Sequence, residues 1–258
     1  AVQELRTVLG GIAHEQQVVI TTHSPLLINR ADIRGNVIVH RNRARAARSV
    51  SEIREVLGVR VADNLVSASL VLLVEGEADV VGLRAILADR SERLAKSIRS
   101  GALALISMRG VRNLESQVVL YRSLLCAIRV FLDNDKPAIQ AAERAKEGRL
   151  LEESEIFFAV AKGMSESEIE DLYDPSAYAK ALQEKYGIEF PTRTFDSRRT
   201  RWSIRIDDVF RDCGRRMNRG EVKQVVAEAV ARNSAIAVAE QSASVLNALV
   251  SNLEAELD

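Results

Sequence analysis

Cysteine is scarce. Cys126 and Cys213 stand alone and far apart in 258 residues, which excludes a secreted disulfide framework and a cysteine-based zinc ribbon. Net charge is absent as well: Lys plus Arg and Asp plus Glu each number 36. No global field draws the chain to a polyanion, so any basic surface must come from uneven distribution. No apolar run approaches the ~18 residues of a membrane span, and the N-terminus lacks the charged, apolar and small-residue order of a signal peptide. These absences are those of a cytoplasmic chain with no membrane partner, long enough for one large domain or two small ones. No internal repeat is present, and no Gly-x-x-x-x-Gly-Lys-Ser/Thr occurs anywhere, so the sequence carries no phosphate-binding loop for ATP.

What is present is a patterned succession of elements. Val2, Leu5, Val8, Leu9 and Ile12 recur at helical spacing, weakened by Gly10 and Gly11. Val18 to Thr22 reads as a buried strand that stops at His23-Ser24-Pro25, with a short helical segment over Leu26 to Asn29. A strand over 36–40, an exposed basic turn over 41–48 and a helix over 51–68 follow. From residue 70 the pattern becomes regular, with strands at 70–74, 102–107, 128–132 and 156–161 and helices at 79–87, 113–124 and 137–147. Short apolar strands alternating with helices predict an α/β fold, a parallel sheet covered on both faces. Beyond it, 164–186 reads as helical, 187–220 as irregular and basic, and 221–257 as helical with a break at Asn233-Ser234.

Two motifs fall where such a sheet presents ligands, at the carboxyl ends of strands. The first is Leu72-Leu73-Val74-Glu75-Gly76-Glu77-Ala78-Asp79, and the second is Val130-Phe131-Leu132-Asp133-Asn134-Asp135-Lys136-Pro137. Either alone also fits a solvated turn or the acid-rich start of a helix. Jointly, three carboxylates converging on one crevice repel unless cations lie between them. Oxygen-only donors suit Mg2+ or Mn2+ and argue against zinc.

Here the sequence resembles the Toprim domain, a Rossmann-like parallel sheet flanked by helices, shared by type IA and type II topoisomerases, bacterial primases and the OLD family of nucleases. The resemblance spans about residues 65–165 and rests on Glu75 and on the paired Asp133 and Asp135. Val18 to Pro25 looks like the end of an ABC-type ATPase, in which the position of His23 senses the nucleotide γ-phosphate. As an isolated motif it better fits a loop with a satisfied histidine. An ATPase end followed by a Toprim core looks like an OLD-family nuclease, which divides the chain into an ATPase remnant with linker (1–64), a Toprim core (65–165) and a mainly helical extension (166–258). With no phosphate-binding loop present, the expected chain is a C-terminal piece or one half of a split system, using ATP only through an N-terminal ATPase part.

The resemblance also implies site residues. Glu75, Asp133 and Asp135 take the primary and shared metal positions of a two-metal site, and Glu77, Asp79 and Glu170 the second. Within Glu166-Ser167-Glu168-Ile169-Glu170-Asp171-Leu172-Tyr173, Glu168 and Asp171 compete with Glu170 as ligand, although the run taken alone is better explained as an acid-rich first helical turn. Lys223 best matches the family's lysine near the metals, with Lys162 and Lys185 as alternatives. Two Mg2+ or Mn2+ ions are the implied cofactors, with Ca2+ able to occupy the site without supporting cleavage.

Residues 193–219 hold nine arginines against four acids. Arg193, Arg198, Arg199, Arg201 and Arg205 are therefore candidates to grip nucleic-acid phosphates, with Phe195, Trp202 and Phe210 stacking on unpaired bases. Such a run is also often only a solvated face, but an acidic metal crevice needs a compensating cationic surface to hold a polyanion, which favours nucleic acid. The expectation is a metal-dependent DNA endonuclease, possible as a homodimer. Its rivals are a topoisomerase- or primase-like Toprim activity and a non-catalytic nucleic-acid-binding module.

Overall fold

The computed structural model describes residues 2–24, 27–29, 32–40, 43–57, 68–192, 194–197 and 199–257. At its centre lie four parallel strands, β3 (Leu70–Val74), β4 (Leu103–Ser107), β5 (Ala127–Asp133) and β6 (Ile156–Ala159), in the order β4-β3-β5-β6. The α/β architecture with a helical C-terminal region is as the sequence predicts.

Every residue of β3 is buried, and the period of two along a strand sends its side chains into two separate cores. Leu70, Leu72 and Val74 join one cluster with Phe131, while Val71 and Leu73 join the other with Ile128, Val130 and Leu132. The second face is covered by α5 (Leu114–Ser123) and α6 (Lys136–Glu147), whose Ala138, Ala141, Ala142 and Ala145 let the helix sit close to the sheet. The first face is covered by α3 (Glu77–Arg90) and α4 (Glu92–Ser100), then by α7 (Ala179–Tyr186), α8 (Trp202–Asp212), α9 (Arg219–Arg232) and α10 (Ala243–Glu256). The described residues of 166–257 thus build a layer on the sheet and share one continuous core with it.

Two expectations for this region change and one holds. Residues 164–186 hold only the eight-residue α7, because Pro175 opens a tight turn, after the single 3-10 turn Ile169–Leu172. The stretch 187–220, read as irregular, contains α8, whose Trp202, Ile206, Val209 and Phe210 are buried. Their spacing of four, seven and eight residues is a helical stripe that the surrounding arginines disguise. The break near Asn233 is present: α9 and α10 are separated by two 3-10 turns.

At the N-terminal side, α1 (Val2–Ala13) is followed by coil over Val18–Thr22 in place of the expected buried strand, with Val19 81% and Ile20 44% exposed. A strand is stabilised by pairing and burial, and the described residues supply neither here. The basic turn expected after residue 40 is instead β2 (Arg43–Ala46), antiparallel to β1 (Val37–His40). α2 (Val50–Leu57) packs on this hairpin through Ile53; of the helix expected over 51–68, residues 58–67 lie outside the described residues and Ala68 is buried coil. Leu125, at a left-handed φ of 59°, inserts into the same small core, and Arg54 donates to the Leu124 and Ala68 carbonyls at 2.9 and 3.0 Å. Both contacts tie the hairpin unit to the root of β5, the strand that ends on Asp133. Among the described residues no helix is long and apolar enough to cross a membrane.

Candidate metal centre

The site grows from the ends of β3 and β5. Glu75 follows the last residue of β3, and its Oε1 accepts the backbone N–H of Asp133 at 3.2 Å. Gly76 caps α3, and its N–H donates to Asp79 Oδ2 at 2.7 Å, which turns Asp79 back over the end of the sheet. Asp133 closes β5, and its Oδ1 accepts from Ile169 N at 2.9 Å, joining the strand to the 3-10 turn Ile169–Leu172. Asn134 and Ser167 fix that junction by two mutual backbone bonds of 2.8 and 3.0 Å.

A 3-10 turn has about three residues per turn, so residues three apart share a face. Glu168 and Asp171 therefore point one way and Glu170 the other. Glu170, buried, receives Lys223 Nζ at 2.9 Å from α9. Glu168 Oε2 and Asp171 Oδ2 accept from Ser203 N and Trp202 N at 2.8 and 3.2 Å, stitching the start of α8 onto the turn. Asp171 also forms a buried ion pair with Arg205. Of the three competing acids, Glu170 pairs directly with Lys223, and Glu168 also acts electrostatically on Lys223 and Glu75. Asp171 is taken up by the interior.

Electrostatics follow from this packing. Burial lifts Asp133 well above the ordinary carboxylate range, opposed by Lys223 and reinforced by Glu170, Glu75 and Asp79. Burial also raises Glu75, against the Asp133 N–H and Lys223. Asp79 is pushed up from 3.8 to about 7 by burial and then by Glu170. Lys223 is held above the usual lysine range: its burial is outweighed by Glu170, Asp133, Glu168 and Asp79. One ammonium thus serves several carboxylates, and the crevice is short of positive charge. Lys162 and Lys185, the alternatives to Lys223, are exposed.

Asp79 gives a pH signature. Its folded pKa lies above the unfolded value, so the folded state holds a proton that the unfolded state releases. The associated stability is present below about pH 4 and is lost as pH rises through about 7. Asp79→Asn keeps an acceptor for Gly76 and removes the charge. In EDTA its melting temperature is expected to exceed the wild type's by a margin that widens from about pH 4 to about pH 7. A constant margin would show that Asp79 is not held protonated.

Tyr173, absent from the expected site, lies beneath these acids. Its hydroxyl stands where a Cβ on Gly82 would come within 2.6 Å, so glycine at that point of α3 is what admits the ring. Burial, then Glu170, Asp79 and Asp133, push the phenol well above its ordinary value. Only its adjacency to the Ile169-Glu170-Asp171-Leu172 run in sequence hinted at this place.

The remaining expected residues are distributed differently. Asp135 caps α6 through Oδ1 to Ala138 N at 3.0 Å and meets Arg201 Nη1 at 3.2 Å through Oδ2. Glu77 is turned outward, its side chain 67% exposed and 3.7 Å from Arg109, because it begins α3 on the side away from Asp79. Arg205 is not a surface cation: it is buried, donates to the Phe195 carbonyl at 3.1 Å and stacks over the Phe195 ring. Phe195, Trp202 and Phe210 are likewise core residues and offer no face to a base. Arg199 is exposed and donates to the Lys162 carbonyl at 3.0 Å. Arg193 and Arg198 lie outside the described residues, and His23 is exposed in coil.

Among the described residues no three His, Cys, Asp or Glu side chains are grouped so as to hold a metal ion. The donor set nonetheless fits a hard divalent cation in kind. All its donors are carboxylate oxygens, burial and mutual repulsion disfavour their ionised form, and a cation relieves both costs.

No family model matches the chain, and no curated protein matches it. Among solved structures the chain is similar to the C-terminal region of the Burkholderia pseudomallei OLD protein, at 18% sequence identity and a TM-score of 0.44, over 73% of this chain and 98% of that one.

Proposed function

We propose that this chain is a metal-dependent endonuclease acting on DNA phosphodiesters. The observation that carries the reading is the gathering of Glu75, Asp79, Asp133 and Glu170 around Lys223 at the carboxyl ends of parallel strands. Glu75, Asp133 and Asp135, with Asp79 and Glu170 beside them, are the residues to hold Mg2+ or Mn2+. Divalent cations bound there supply an activated water and stabilise the leaving oxygen.

The protein's own groups do the rest. Lys223, kept protonated by its acidic neighbours, offsets negative charge developing on the phosphate. The clasp of Glu168 and Asp171 on the start of α8 sets Arg201 at the rim of the crevice. Tyr173 is buried beneath the cluster, its phenol pushed above its ordinary value by burial and by the neighbouring acids. An ATPase unit as partner, a cytoplasmic location and a homodimer belong to the same proposal. The apolar, unpaired segment Val18–Thr22 supports the first, since it has the composition of a sheet strand and lacks a neighbour among the described residues.

Supercoiled plasmid incubated with the chain tests the reading. Nicked and linear products with Mg2+ or Mn2+, and none in EDTA, are the expected result. A ladder of relaxed topoisomers would assign the site to strand passage. Gel retardation with no strand breakage would make it a binding module.

A further inference from the structure

Arg201 is a cation at the rim of an anionic crevice, and it is incompletely satisfied. Its Nη1 donates to Asp135 Oδ2 at 3.2 Å, and its Nε lies 3.7 Å from Glu166 Oε2, beyond hydrogen-bond reach. That Nε is buried and has no hydrogen-bond partner. Leaving such a donor unpaired is costly, and a guanidinium prefers two parallel bonds to one acceptor. Yet the backbone that carries it is fixed. Residue 201 is the N-cap of α8, and the two N–H groups that follow are held by Asp171 and Glu168. The side chain, 31% exposed, is the part left to move.

We propose that Arg201 is the internal counter-ion of the metal site. In the metal-free protein the guanidinium neutralises Asp135 and Glu166 and stands where a divalent cation would act on Asp135. Metal binding displaces it. The freed guanidinium, already at the rim, then finds in a phosphodiester the two-oxygen acceptor it lacks, so metal loading and nucleic-acid binding reinforce each other through one side chain. This inference rests on the metal-site reading above and goes beyond it, because it makes one arginine both a competitor of the metal and a ligand of the substrate.

Titration of the intact chain with Mn2+, in the absence of DNA, tests the competition. Arg201→Gln is expected to bind Mn2+ about fivefold more tightly than wild type, the upper effect of removing a partly exposed ion pair. Arg201→Lys, which keeps the charge, is expected to stay near wild type. DNA affinity measured against salt, with and without Ca2+, tests the other half. Ca2+ should steepen the wild-type slope by about one phosphate contact and leave the slope of Arg201→Gln unchanged. Equal Mn2+ affinity in wild type and Arg201→Gln, or equal tightening by Lys and Gln, would overturn the inference while leaving the metal site standing. Absence of Mn2+ binding to wild type and variants alike would overturn the metal-site reading itself, and this inference with it. Melting curves for each variant separate these outcomes from misfolding.

Discussion

Asp133→Asn is expected to reduce metal-dependent cleavage by roughly a thousandfold, equivalent to ~4 kcal/mol of transition-state stabilisation, while raising the melting temperature of the metal-free protein. The two effects share a cause. Asp133 is half-buried at the end of β5, and its ionised form is disfavoured by desolvation, opposed by Lys223 and reinforced by Glu170, Glu75 and Asp79. Such a group costs the empty protein stability and repays it only when a cation arrives. Asparagine keeps an oxygen to accept from Ile169 N, now bonded at 2.9 Å, so the junction between β5 and the 3-10 turn survives. Alanine would orphan that N–H and confuse the comparison. Plasmid nicking rates and thermal melts in EDTA measure both quantities. Wild-type cleavage with unchanged metal dependence would remove Asp133 from the site.

The second large effect is structural. Arg205→Met should destabilise the fold by about 3–5 kcal/mol, because it leaves Asp171 as a buried carboxylate without its cation. The ion pair is almost fully enclosed, with side-chain exposures of 4% for Arg205 and 0% for Asp171. Burial lifts Asp171 to about 6, while the Glu168 N–H and Arg205 hold it down, so it is ionised at neutral pH and the pair is charged. Adding Asp171→Asn to Arg205→Met should recover a substantial part of the loss, since the amide still accepts from Glu168 N and Trp202 N and carries no charge. Chemical denaturation of the two single variants and the double variant gives the coupling. An Arg205→Met chain as stable as wild type, but weaker on DNA, would return Arg205 to the surface role that its sequence context suggests.

Arg205 and Arg201 show why the basic segment was hard to read. Their sequence neighbourhood is the same, yet one is an interior strut and the other a half-satisfied rim cation. Helical geometry separates them: Arg201 is the N-cap of α8, whereas Arg205 is one turn in, on the face that also buries Trp202, Ile206 and Val209. A count of arginines treats them alike.

The primary sequence alone determined the sheet, its flanking helices and the acids at the strand ends. Those features are local: an apolar run buried on both faces, a strand-to-helix junction, and carboxylates at the residues that leave the sheet, as with Glu75, Asp133 and Asp135. Tertiary structure decided what depends on contacts between distant residues. Glu170 is paired within the cluster because a lysine 53 residues further on reaches it, while the Glu168 and Asp171 carboxylates take up the start of α8. Lys223 reaches Glu170 because α9 packs along α3, a fact that no spacing in sequence expresses. Val18–Thr22 has the composition of a strand, but a strand exists only where a neighbour pairs with it, and among the described residues none does. Composition fixes what each segment prefers, and the partner it meets fixes what it becomes.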